Sequence, residues 1–398
     1  MIIPRRLCLL ALLSFALTRP AIGADQAGAV QRVPVFRKNQ VIMSYGENVV
    51  RPYLAFPAVI DLGDDVLISY KRTRSHGGDN GSVQESVRIN GLTGAVRELQ
   101  VMAKLDGAIM QSGEWVRFPN GDIGNYIDTQ QTDPADVTTR IGARFVRSTD
   151  GGHTFGPVER IGVVDGVEYG YPFEFITEGN ETWMLVMTFS SLTGGKAVIA
   201  ERPKSGSVDV LHSTDNGRTW HFVRNLSREF GGISINESTF IRHGDGFLIS
   251  TRGYDSTHRL HHVDAKFNQI RQINLTGTYA FIKAHVGRPR LFARDGKIYL
   301  LGRNTTQSSS EKNADPARPG SSMPMQLCLF RIEPDRLVIS AYAILDNAEN
   351  ARVSDGYYAV PYFRTVDGKT RLNIITYKGV NKRPPQIVRF EYLWDEVR

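Results

Sequence analysis

Cysteine is nearly missing from this chain. Only 2 of 398 residues are cysteine, Cys8 and Cys328. Cys8 lies in an N-terminal leader, so one thiol remains and no intrachain disulfide can form. A chain without cross-links depends on a large buried core. Cys328 sits in the strand-like run MQLCLF (325–330), where a packed thiol is the ordinary reading and a nucleophile is not. Dense Lys/Arg runs are also missing, which argues against a nucleic-acid partner. Long apolar runs are limited to Leu7–Leu17, too short to cross a bilayer. Arg5 and Arg6 precede that run and small residues follow at Ala21–Ala24, the pattern of a signal peptide over residues 1–24. Cleavage near Ala24 would leave residues 25–398 as one exported domain with no membrane span. The formal net charge is +7, and without Arg5, Arg6 and Arg19 it falls by three to about +4. That mild excess favours encounter with acidic glycans only weakly. Histidine is clustered once, at His258, His261 and His262, without Cys or clustered acids beside it, so neither a metal nor a cofactor is expected. None of these features bears on oligomeric state.

Long helical periodicity is absent too. The chain instead repeats one unit: a β-rich run, a turn with Gly or Asp-Gly, and a second β-rich run. It occurs at 54–71, 112–129, 171–188, 236–252, 288–303 and 358–378. Each hairpin is followed by one or two further strand-like runs. Spacing of this order belongs to propeller arrays, and six four-stranded sheets around an axis make an all-β, six-bladed β-propeller. The last blade is one strand short at the C-terminus. A segment near Val33–Ser44 is expected to complete it and close the ring, which removes open edges. The polar, Ser- and Pro-rich stretch 304–324 reads as a long loop inside the fifth blade.

Two eight-residue stretches repeat: STDGGHTF (148–155) and STDNGRTW (213–220). Both fall between the third and fourth strands of their blades. There the Asp side chain can accept from turn N–H groups, Gly supplies a positive φ, and the aromatic ring can pack beneath. Asp150 and Asp215 are therefore read as turn stabilisers, not as catalytic groups.

In such a ring, chemistry collects at one end of the axis, from the starts of the inner strands and the ends of the second strands. Those positions hold Glu237, Tyr357, Arg252 and Arg303. The loop after the first hairpin adds Arg72, Arg74, His76 and Asp79. Converging arginines suit a carboxylate, because the planar guanidinium binds it bidentately. A neutral phenol, deprotonated by a neighbouring glutamate as it attacks, suits a reacting carbon that already bears a carboxylate and would repel an anionic nucleophile.

With these residues in view, most of the chain after residue 24 resembles the sialidase (neuraminidase) superfamily of six-bladed glycosidases, with the twin turn motifs as its Asp-boxes. The resemblance is strongest in INESTFIRHGDGFLISTR (235–252). It implies Glu237 as activator of a tyrosine nucleophile, which is Tyr357 in SDGYYAVPYF or, one residue on, Tyr358. It also implies Arg252 and Arg303 as carboxylate-binding arginines and Asp79, in GGDNGS, as acid/base. His76, in the same loop, is a minor candidate for substrate contact or proton transfer. One departure stands out. The superfamily opens its first blade with Arg-Ile-Pro, and this chain has Ala55-Phe56-Pro57. Arg51, Arg72 or Arg74 would have to supply the third arginine. The expected activity is an exo-α-sialidase-like hydrolysis of a terminal acidic sugar from a glycoconjugate. The alternatives are a hydrolase or lyase acting on uronic-acid polysaccharide, or a non-catalytic glycan-binding propeller.

Overall fold

A computed structural model describes residues 28–46, 50–188, 207–305, 325–348 and 351–398. The expected signal peptide over 1–24, and all but the first two residues of the loop expected at 304–324, lie outside the described residues.

Six sheets form the ring. The first blade comprises Tyr53–Asp61, Asp65–Thr73, Val83–Asn90 and Val96–Ala103. The second comprises Ile109–Arg117, Ile123–Thr132, Arg144–Ser148 and Glu159–Arg160. The third is built from Val167–Glu178, Glu181–Thr188, Val208–Ser213 and His221–Asn225. The fourth runs through Ile235–His243, Gly246–Gly253, His258–Val263 and Gln269–Asn274. The fifth holds Gly287–Arg294, Lys297–Thr305, Met325–Glu333 and Val338–Asp346. The sixth takes Val360–Val366, Lys369–Val380 and Gln386–Leu393 from the C-terminal region and Arg37–Met43 from the N-terminal region. Arg37–Met43 runs antiparallel to Gln386–Leu393 and closes the ring, as the short last blade required. Val30–Arg32 adds a parallel strand to the outer edge of the fifth blade. Among the described residues, no helix is long and apolar enough to cross a membrane.

The strands alternate apolar residues toward neighbouring blades, so the core is divided rather than single. One apolar cluster fills each of the six blade interfaces. Cys328 is buried in the cluster between the fourth and fifth blades, and burial pushes its thiol up to about 12. A thiol held that way is packing material, not a nucleophile.

The two repeated turns have matching hydrogen bonds. Asp150 Oδ1 accepts from the N–H groups of His153 and Thr154, both at 3.0 Å, and Oδ2 accepts from Thr154 Oγ1 at 2.6 Å. Asp215 accepts from Arg218 N (3.0 Å), Thr219 N (2.9 Å) and Thr219 Oγ1 (2.6 Å). Gly151 and Asn216 occupy the same left-handed position, as do Gly152 and Gly217. Trp220 packs edge-on against Tyr126 of the second blade, and Phe155 lies against Trp115.

Candidate active site

The geometry of the site begins with irregular strands. Five of the six inner strands shift register near their start, between Ala55 and Ala58, Met110 and Ser112, Tyr169 and Tyr171, Ile235 and Ser238, and Gly287 and Arg290. Three residues around these starts are non-glycine residues with left-handed backbone: Phe56 (φ 56°), Arg288 (φ 43°) and Tyr357 (φ 67°). Such bulges bend a strand and re-aim its side chains. The left-handed form also costs non-glycine residues of order 1–3 kcal/mol, so the surrounding packing must hold it in place.

At the sixth blade this turn decides which tyrosine meets the glutamate. Tyr357 points away from the axis. Its hydroxyl donates to Asp346 Oδ2 at 2.5 Å, beside Lys378 (2.6 Å from the same carboxylate) and Arg37, all at the interface of the fifth and sixth blades. Tyr358 points inward and donates to Glu237 Oε1. The expected pair of Tyr357 with Glu237 is therefore replaced by Tyr358 with Glu237. The physical reason is the left-handed residue at 357, which breaks the two-residue alternation on which the sequence reading relied.

Glu237 is enclosed by donors. Arg252 Nη1 lies 2.6 Å from Oε2, the Arg288 amide donates to the same oxygen at 2.8 Å, and the Tyr171 hydroxyl reaches Oε1 at 3.4 Å. Burial alone would raise its pKa. Arg252, Arg303, the Tyr358 hydroxyl and Arg288 outweigh that and hold it well below the usual carboxylate range. Tyr358 is pushed up to about 12, first by burial and then by the charge of Glu237, with Arg303 and Arg252 opposing. The phenol is thus neutral with an ionised base on its oxygen. Arg303 lies over the Tyr358 ring at 5.1 Å. It can come so close to the fifth blade's backbone because position 287 is glycine: a Cβ there would stand 2.8 Å from the guanidinium.

The loop after the first hairpin is arranged differently from expectation. Asp79 accepts from Arg51 Nε (2.9 Å), the Arg74 amide (3.0 Å), the Gly81 amide (3.2 Å) and Thr73 Oγ1 (3.2 Å). Burial favours its protonation, but Arg51 and the backbone donors win and its pKa is lowered. Arg51 is thereby committed to Asp79. Arg72 is committed to Glu85 at 2.7 Å, within the first sheet. Arg74 is exposed, has no ion-pair partner among the described residues, and lines two adjoining cavities of about 590 and 580 Å³. Of the three candidates for the missing arginine, it is the one left unengaged. The missing arginine's position is held by the fully buried Ala55, and the next residue's ring, Phe56, packs against Tyr358 (5.3 Å), Tyr377 (5.3 Å) and His76 (5.1 Å).

Several further groups complete the site. Asp355 accepts from Tyr53 and from Tyr377 (2.8 Å), meets His76 Nδ1 at 2.7 Å, and stands 4.0 Å from Arg303. Lys71 is fully buried, donates to the His76 carbonyl (3.0 Å) and to Gln111, and is lowered to about 7 by burial against the pull of Asp79, Asp128 and Asp355. Glu114 of the second blade binds both Arg288 and Arg290 of the fifth, and Arg290 also binds Glu174 of the third at 2.7 Å. This buried network ties opposite blades together beneath Glu237. Among the described residues, no group of three His, Cys, Asp or Glu side chains is placed to hold a metal ion.

Ring and site together define a propeller of the sialidase fold, with arginine, tyrosine and glutamate gathered at one end of the ring. Solved structures carry the same architecture. A protein of unknown function from Dyadobacter fermentans aligns with TM-score 0.66 at 14% identity, over 92% of this chain and 99% of its own. The Hadza microbial sialidase Hz136 aligns with TM-score 0.58 at 10% identity, over 90% of this chain and 69% of its own. Trypanosoma rangeli sialidase in complex with sialic acid aligns with TM-score 0.55 at 11% identity, over 92% of this chain and 60% of its own. No protein-family model matches the sequence, and no curated protein matches it. At these identities the likeness concerns the fold, and a fold alone does not fix an activity.

Proposed function

We propose that the chain is an exported exo-acting glycosidase that releases a terminal acidic sugar of the sialic-acid type from glycoconjugates. The observation that carries this reading is the Tyr358 hydroxyl bonded to an ionised Glu237, between Arg252 and Arg303. A neutral phenol can approach a carbon that bears a carboxylate, and Glu237 can take its proton as the oxygen attacks. Arg252 and Arg303 bind the sugar carboxylate, and Arg74 supplies the third cation from the rim. The glycosyl group passes to Tyr358 and then to water, with net retention. Export follows from the leader at 1–24.

A second reading rests on Ala55. With alanine where the superfamily places an arginine, the clamp is one fixed cation short, and a uronic-acid polysaccharide becomes the alternative substrate. A lyase acting on it would give a product with a new, ultraviolet-absorbing double bond.

Fluorophore release from an α-sialoside by the purified chain tests the first reading. Tyr358→Phe should lower turnover by at least about 10³-fold while the protein stays folded. Release that survives this change would remove Tyr358 from the chemistry. No release at all, with uronic-acid chains cleaved instead, would favour the second reading. Binding of glycans without any turnover would leave only a glycan-binding propeller.

A further inference from the structure

We infer that His76, oriented by Asp355, is the proton donor to the leaving group, the role that the family resemblance implies for Asp79. The inference rests on the glycosidase reading above and deepens it.

Asp79 lines the neighbouring cavity of about 590 Å³, but it is held by Arg51, two backbone amides and Thr73, so its oxygens are already occupied by donors. His76 stands three residues earlier in the same loop, and its side chain is 60% exposed. It lines the cavity of about 580 Å³ that also contains Arg74, Arg303, Tyr53 and Asp355. Its Nδ1 meets Asp355 Oδ2 at 2.7 Å, and Tyr53 donates to the same oxygen. An ionised carboxylate only accepts, so Nδ1 is the donor and Nε2 is left for the cavity. A base held in one orientation by a third group is the arrangement that proton transfer requires. The Phe56 ring fixes the imidazole from the other side at 5.1 Å. Arg303 links the two halves of the site, with its guanidinium over Tyr358 and 4.0 Å from Asp355. A sugar whose carboxylate sits on Arg303 therefore has Tyr358 on one side and His76 on the other.

The step balances as follows. The bond from the anomeric carbon to the leaving oxygen breaks, and its electron pair goes to that oxygen, which takes the Nε2 proton of the doubly protonated His76. Tyr358 Oη bonds to the anomeric carbon and its proton passes to Glu237. Water then attacks the same carbon and gives a proton to His76 Nε2. The carbon–Tyr358 bond breaks, and Tyr358 Oη recovers its proton from Glu237. The charged and titratable groups that share the cavity with His76 are Asp355, Tyr53, Arg303, Arg74, Lys382 and Arg383, with Lys71 bonded to its carbonyl.

The test uses α-linked acidic glycosides that differ only in leaving group, one a nitrophenol and one an aliphatic alcohol. His76→Gln should lose at least about 100-fold on the alkyl glycoside and only a few-fold on the nitrophenyl glycoside, because a good leaving group needs no proton. Asp79→Asn should lower both substrates by a similar factor. Equal losses for His76→Gln on the two substrates would overturn the inference. So would a leaving-group-dependent loss in Asp79→Asn that His76→Gln lacks. A wild-type chain that turns over neither substrate would overturn the glycosidase reading, and this inference with it.

Discussion

The outer turns at 148–155 and 213–220 and the inner rim at 55–58, 287–290 and 356–358 follow opposite rules. In the outer turns, the bonds of the Ser, Asp and Thr side chains are made within five residues, and only the aromatic rings reach another strand or blade. Ser, Asp and Thr satisfy one another and the local N–H groups, and the left-handed positions fall on Gly or Asn. The rim reverses this. Its left-handed positions fall on Phe56, Arg288 and Tyr357, residues that local energetics disfavour there. Their conformation is maintained by distant partners: Asp346 for Tyr357, Glu114 for Arg288, and the Tyr358 and Tyr377 rings for Phe56. The side-chain bonds of the outer turns need only local sequence, whereas the rim needs the assembled ring.

This contrast can be broken or sharpened by substitution. The largest effect belongs to the rim. Glu237→Gln leaves Arg252 without its buried counter-charge and should destabilise the fold by about 3–5 kcal/mol. Its pH dependence has a definite sign. A carboxylate whose folded pKa lies below the free value of 4.5 contributes stability above about pH 4.5, and that contribution is lost as pH falls toward the depressed value. Acid unfolding should therefore be flatter in Glu237→Gln than in wild type; equal acid limbs would show that the charge adds nothing to folding. Next comes Tyr357→Phe. It removes a buried bond to an ionised carboxylate and should cost about 1.5–3 kcal/mol in denaturant titration, with turnover nearly unchanged. A large drop in turnover with unchanged stability would return the nucleophile's role to Tyr357. The smallest effects belong to the outer turns. Asp150→Ala and Asp215→Ala should each cost about 1 kcal/mol, comparable to loss of a helix cap, and should match each other because their bonds match. Unequal losses would mean that the packing of Phe155 and Trp220, not the turn itself, sets their contribution.

The same distinction explains what could be read beforehand. Six hairpins, their order, and the return of a segment within 33–44 to the last blade follow from alternation and turn residues, which are local. Arg252 and Arg303 could be placed because their strands run in unbroken register with the next strand of the blade, whereas Glu237 falls within the shift between Ile235 and Ser238 and was placed by its motif. The tyrosine was legible only to within one residue. Alternation put Tyr357 on the inner face, and the left-handed residue moved it toward Asp346, beside Lys378, and brought Tyr358 inward. The Arg51–Asp79 and Arg72–Glu85 pairs could not be foreseen, because nothing in a linear pattern says which arginine a carboxylate will capture. Asp355 and Lys71 take on meaning only from neighbours in other blades.

The closing strand has a consequence for timing. Arg37–Met43 is among the first segments to be synthesised, and its partner Gln386–Leu393 is among the last. Five blades can assemble while the chain is still emerging, but the sixth must wait for the C-terminal strand. Tyr358 lies in that sixth blade and Glu237 in the fourth, so their encounter also belongs to the final event. A chain interrupted shortly before residue 386 would hold most of its core and still lack a finished reaction centre. Completion of the ring thus acts as a checkpoint, with competence appearing only once both ends have met.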